Sequence, residues 1–134
     1  VLGGQVSFMF ARPHLAPPLG MLPDLDNGDV RAARISGEVL DDWNARFVVQ
    51  LAAPRTQRIT LPRGEVMEQV LLDVESGSWA ALSESDGRWT VRQGGRDRIW
   101  DAVEETVGRW LADGAPPLER FTVRVGKDGQ VVTW

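Results

Sequence analysis

The chain has 134 residues, no cysteine, and 15 basic against 19 acidic side chains, for a net charge of −4. Disulfides, thiolate metal sites and cysteine nucleophiles are therefore excluded, and no basic run of the kind that displaces counterions from nucleic acid is present. No apolar stretch approaches the roughly 18 residues that a membrane helix needs, so the expectation is a globular protein of ordinary composition in a reducing cytoplasm.

The opening VLGGQVSFMFARP lacks the basic segment of a secretory signal. Val1 in place of an initiator methionine leads us to expect a processed chain or a piece of a longer one. Residues 5–11 (QVSFMFA) set Phe8 and Phe10 at period two and read as a strand. Pro13, Pro17, Pro18 and Pro23 follow in close order. Proline fixes φ and removes a ladder donor, so residues 13–29 read as a loop or linker. Residues 1–12 are then an N-terminal strand or the end strand of a preceding domain, and residues 30–134 a single α+β domain.

Residues 34–40 alternate loosely. Residues 47–52 (FVVQLA) form a compact β-rich run, expected to be a central strand broken by Pro54. Residues 58–61 read as a short strand stopped by Pro62. Residues 65–75 (EVMEQVLLDVE) fit both periods, but their β-branched content and the Ser76-Gly77 turn favour a strand. Residues 78–84 (SWAALSE) return across that turn, and Asp86-Gly87 signals a hairpin into residues 88–93 (RWTVRQ). There Trp89, Val91 and Gln93 share one face, with Arg88, Thr90 and Arg92 on the other.

The clearest periodicity is helical. Over residues 97–112, Ile99, Trp100, Val103, Val107, Trp110 and Leu111 recur at steps of three and four. Asp97 and Asp101 suit the positive end of the helix dipole, Gly114 stands at C′, and Pro116-Pro117 prevents continuation. Residues 121–125 and 130–134 read as strands around Lys127-Asp128-Gly129. The predicted architecture is a mostly antiparallel sheet packed on one long C-terminal amphipathic helix, closed by a β-hairpin.

The candidate chemistry is sparse. Asp41-Asp42 and Glu104-Glu105 are adjacent carboxylates, and neighbours on a helix do not face each other. Glu104 and Glu105 are thus expected on the solvated side. Residues 24–29 (DLDNGD) resemble a calcium loop, but glycine falls at position 5 rather than 6, which favours a capped turn. His14, the only histidine, sits in the proline-rich loop, where a surface position is expected. Neither Gly3-Gly4 nor Gly94-Gly95 extends to a nucleotide-binding motif, and no G-x-S-x-G occurs. Gly94-Gly95 more simply turns a strand into a helix.

Of the six tryptophans, Trp100 and Trp110 belong to the predicted core, and Trp79 and Trp89 are expected to pack together across their hairpin. Arg88, Arg92, Arg96 and Arg98 concentrate positive charge where the strand meets the helix. They form either a solvated face or a contact surface for an acidic peptide, which bidentate Arg–carboxylate geometry would favour.

These residues carry a resemblance. Trp89-Thr90-Val91-Arg92-Gln93, then Arg98-Ile99-Trp100-Asp101-Ala102-Val103-Glu104, then Arg120-Phe121 and Asp128-Gly129-Gln130 resemble the C-terminal accessory region of actinobacterial protein-L-isoaspartate O-methyltransferase-like enzymes, of the type found in ribosomal peptide natural-product biosynthesis. Gln50-Leu51-Ala52 and Gly77-Ser78-Trp79-Ala80 are similar to that region too. Phe8-Met9-Phe10-Ala11-Arg12 is similar to the last strand of the methyltransferase domain. The sequence departs from the family pattern at Gly94, often aromatic there, and at Arg96, often proline. The resemblance implies an upstream catalytic domain that binds S-adenosylmethionine, with no cofactor, metal or catalytic residue in this chain. The expected role is recognition or positioning of a peptide or protein substrate, with Arg92, Gln93, Arg96 and Arg98 as candidate contacts. The alternative is a stand-alone structural or interaction module.

Overall fold

The computed structural model describes residues 5–8 and 22–134. His14, Gly3-Gly4, the Phe10 end of the first strand and the prolines at 13, 17 and 18 lie outside the described residues. The described residues are α+β, with antiparallel sheets and two α-helices. In chain order these are β1 (Gln5–Phe8), β2 (Asp29–Ala32), α1 (Trp43–Ala52), β3 (Thr56–Arg63), β4 (Val66–Asp73), β5 (Trp79–Ser85), β6 (Arg88–Gly94), α2 (Ile99–Ala112), β7 (Thr122–Gly126) and β8 (Gly129–Thr133). A five-stranded sheet has the order β2-β6-β5-β4-β3, and a three-stranded sheet the order β1-β8-β7.

Residues 47–52 are not a central strand; they belong to α1. The Asp42 side chain accepts a hydrogen bond from the Ala45 N–H at 2.8 Å and caps the helix. Ala45, Val48, Val49 and Leu51 fall on its buried side. β-branched residues disfavour a helix by only tenths of a kcal/mol, whereas burying each of these larger side chains stabilises by roughly 1.5–3 kcal/mol. Packing therefore overrides the local preference.

α1 and α2 cover one face of the larger sheet. Leu71, Ala80, Leu82 and Val91 on the strands meet Val48 and Val49 from α1 and Trp100, Val103 and Val107 from α2. Strand parity sends Val70, Leu72, Trp79 and Ala81 to the opposite face, where Leu22 and Leu25 pack over them. The second half of the proline-rich segment is thus laid against the sheet. Trp79 and Trp89 do not pack together. Their register partners are Gly94 and Glu84, so they point to opposite faces, Trp79 beneath Leu22 and Leu25 and Trp89 against the helical core.

Pro62 does not stop β3, which runs on to Arg63. β3 is an edge strand, and an edge tolerates the missing donor. The Asp86-Gly87 turn has φ of 52° and 75°, the left-handed pair that a two-residue hairpin requires. α2 closes with the Ala115 N–H donating to the Trp110 carbonyl and the Gly114 N–H to that of Leu111, a Schellman arrangement around Gly114 at φ 87°. Beyond it, Phe121 stacks edge-on to Phe47 at 5.3 Å and tilts against Trp134 at 5.6 Å, tying the smaller sheet to α1.

Candidate site at the strand-to-helix junction

β6 hands the chain to α2 through residues 94–98. Gly94 lies against Trp79, where a Cβ would come within 2.7 Å of the indole nitrogen. Gly95 adopts φ +90° with Ser78 behind it, and the Ser78 hydroxyl accepts the Asp97 N–H at 2.9 Å. The turn shape is therefore set by Trp79 on the neighbouring strand and Ser78 just before it, and the two glycines are what let it pass.

α2 begins without a side-chain cap of its own at Arg98. Gln93, 1% exposed, supplies one from the preceding strand. Its Oε1 accepts the Trp100 N–H at 2.9 Å, and its Nε2 donates to Asp101 Oδ1 at 2.7 Å. Asp101 also accepts from Arg31 at 2.5 Å and from Arg98 at 3.3 Å, while Arg98 reaches Asp29 at 2.7 Å. Arg31 foremost, then Gln93 and Arg98, hold the Asp101 carboxyl below its ordinary range against the opposing effect of burial.

A depressed carboxyl contributes stability that is fully present above its unfolded pKa and lost as pH falls through its folded value. The stability difference between the native chain and Asp101→Asn is therefore expected to narrow as pH drops below about 4, the ordinary carboxyl value. Urea titrations at neutral and acid pH check this. A difference independent of pH would remove the charge from the account.

Glu104 is not on the solvated side. Its side chain is 6% exposed and pairs with Arg31, accepting both Arg31 terminal nitrogens and the Arg34 N–H at 2.5 Å. Glu105 is exposed, as expected. Neither member of the other acidic pair is unengaged: Asp41 accepts from Arg58 at 2.8 Å, and Asp42 caps α1. Within residues 24–29, Asp24 accepts from the Asp26 N–H at 2.9 Å and from Asn27 Nδ2, an Asx-type turn. Among the described residues no group of acidic or histidine side chains is placed to hold a metal ion.

The four candidate contact residues separate in the structure. Arg92 grips Glu68 with two hydrogen bonds, 2.7 and 3.0 Å, and donates to the Leu25 carbonyl at 3.0 Å. The Arg92 and Glu68 side chains are 13% and 4% exposed. Gln93 is wholly internal. Arg98 is half-exposed and shared between Asp29 and Asp101. Only Arg96 projects freely, 79% exposed with Asp97 at 3.7 Å.

Arg96 stands at the mouth of a cleft of about 320 Å³ between the end of α1 and the start of α2. Ala52, Ala53, Pro54, Ile99 and Ala102 contribute apolar surface, and Arg55 with Asp73 and Asp97 forms the polar wall. Arg55 lies 3.0 Å from Asp73, 3.5 Å from Glu75 and 3.6 Å from Asp97, so one guanidinium faces three carboxylates. A second, polar depression of about 520 Å³ lies on the other side of the junction, floored by Gly28, Gly94 and Gly95 and bounded by Arg98. The sequence reading missed Arg55 and Asp73. They sit about forty and twenty residues before Arg96, and only the antiparallel return of β3 and β4 brings them to it. The chain matches no protein-family model, no curated protein and no solved structure.

Proposed function

We propose that this chain is a non-catalytic recognition domain belonging to an isoaspartate-type, S-adenosylmethionine-dependent O-methyltransferase. In this reading a peptide or protein substrate is held at the strand-to-helix junction. The observation that carries it is the cleft beside Arg96. It combines an apolar floor with a highly exposed guanidinium, while the neighbouring Arg92 and Gln93 are occupied within the fold. A mostly apolar concavity with few oriented polar groups is the usual form of a binding site. The family resemblance supplies the rest: an upstream catalytic domain as partner, the methyl donor bound there, a cytoplasmic setting and natural-product biosynthesis. α2 and the β7–β8 pair then serve as the long C-terminal helix and closing hairpin of the accessory region.

Calorimetry on this chain is expected to show no S-adenosylmethionine binding, and micromolar affinity would sink the assignment. An acidic, aspartyl-bearing peptide is expected to bind, with Arg96→Ala weakening it about tenfold, the loss of one charge-assisted contact. Unchanged affinity in that variant would remove the cleft from the proposal. A stand-alone interaction module is the second reading. It is favoured by Trp43, 74% exposed at the first turn of α1, since tryptophan is enriched among binding hot spots.

A further inference from the structure

The turn that leads into β2 ends in Asn27-Gly28. In this pairing a main-chain nitrogen can readily reach the preceding side-chain amide, because glycine brings no Cβ to crowd the approach. Asn27 is exposed and Gly28 half-buried. The Ala33 N–H donates to the Trp89 carbonyl at 2.9 Å, which fixes the phase of the β2–β6 ladder. Odd-numbered residues of β2 bond towards β6, and even-numbered ones turn their N–H groups away from it. β2 is the edge strand on that side. By the same alternation the Gly28 N–H, one residue before the strand, points outward, and it has no main-chain acceptor among the described residues. The Asn27 amide is held only through Nδ2, which donates to Asp24 in an exposed contact; its Oδ1 has no partner among the described residues. Asn44, the chain's other asparagine, is the contrast. Its Oδ1 accepts the Leu118 N–H at 3.3 Å, and the nitrogen that would attack it, that of Ala45, is bonded to Asp42 at 2.8 Å.

We infer that Asn27-Gly28 is a self-modification site, at which the chain converts its own asparagine to aspartate and isoaspartate through a succinimide. The Gly28 nitrogen, its proton taken by solvent base, bonds to Asn27 Cγ. Nδ2 gains a proton from water and leaves as ammonia. Water then opens the ring at either carbonyl. Breaking the bond between the nitrogen and Cγ restores the main chain, with aspartate at position 27. Breaking the bond to the α-carbonyl carbon leaves the main chain running through Cγ, with a free α-carboxylate. Water is the only co-reactant, and either product adds one negative charge. The second product also inserts a carbon into the main chain directly before β2. Gly28 has no room to absorb it, since even a Cβ there would come within 2.6 Å of the Gln93 carbonyl oxygen and 2.7 Å of the Trp79 ring. The displacement passes to Asp29, which pairs with Gln93 in the ladder and with Arg98 at 2.7 Å. Isoaspartate therefore loosens the start of β2. The chemistry is independent of the Arg96 cleft and of the function read from it.

The test incubates the full chain at mildly alkaline pH and maps it by proteolysis and mass spectrometry. Asn27 is expected to gain the mass of an amide-to-acid conversion at least about tenfold faster than Asn44, a barrier lower by about 1.4 kcal/mol. Two products of equal mass are expected to separate by chromatography. The rate is expected to rise about tenfold per pH unit, because the attacking nitrogen must first lose its proton. The folded chain is expected to react within about tenfold of the chain unfolded in urea, since the fold leaves the Gly28 N–H unengaged. Equal rates at the two asparagines would overturn the inference. So would a rate independent of pH, protection by the fold beyond about tenfold, or aspartate as the sole product, which marks direct hydrolysis without a ring. Hydrogen exchange across residues 29–32 is expected to be faster in the isoaspartyl fraction than in Asn27→Asp, which carries the same charge on an unlengthened main chain. Equal exchange in the two would overturn the loosening of β2.

Discussion

Replacing Gln93 with alanine is expected to cost about 3 kcal/mol of folding stability, a large share of what a domain of this size possesses. The side chain is 1% exposed and makes two hydrogen bonds, one to the Trp100 N–H and one to Asp101. Alanine leaves the Trp100 N–H buried without a partner, which costs roughly 1–3 kcal/mol. It also removes the side-chain cap that α2 receives from β6, worth about 1 kcal/mol, and opens a small cavity. Gln93→Leu separates these effects. It restores most of the volume but not the acceptor, so it is expected to cost about 2 kcal/mol, the polar share alone. Urea denaturation measures both, and hydrogen exchange at residues 99–102 reports whether the first turn of α2 frays. Loss below about 1 kcal/mol in both variants would mean that the helix start is held by Asp101 and its arginines instead.

That residue shows how far the sequence could be read. Its position on the Trp89–Val91–Gln93 face was legible from strand alternation, and the start of α2 from the step of three and four in its apolar residues. The union of the two was not. A cap is ordinarily sought at the residue just before a helix, and here it comes from five residues earlier, across a glycine turn. α1 was hidden for a different reason. Phe47, Val48 and Val49 are strand formers locally, and the deciding features were the cap at Asp42 and burial against a helix fifty residues away. Glu104 was misplaced because adjacency to Glu105 says nothing about Arg31, more than seventy residues earlier. The turns at Asp86-Gly87, Gly95 and Gly114 were legible, since each answers a local requirement for positive φ. What requires long-range register, including the separation of Trp79 from Trp89, was not.

Arg92→Met should be destabilising by about 3 kcal/mol, and the size of that effect follows from its partner. Glu68 is 4% exposed and takes both oxygens' main contacts from Arg92. Removing one member of a buried pair strands the other, a loss of roughly 3–5 kcal/mol. Arg63, 3.6 Å from Glu68 and half-exposed, offers partial compensation, which sets the expectation at the low end. Methionine keeps the apolar stem of the arginine, so the loss is one of charge and hydrogen bonding rather than of packing. The double variant Arg92→Met/Glu68→Leu removes both charges and is expected to recover most of the stability, because an apolar pair in place of a buried ion pair is often neutral. The Leu25 carbonyl loses its donor in either variant, so faster hydrogen exchange across residues 22–28 is expected in both. A single variant as stable as the native chain would free Arg92 from this structural duty and return it to the list of groups available to a ligand. A double variant no better than the single would show that Glu68 is not the source of the loss.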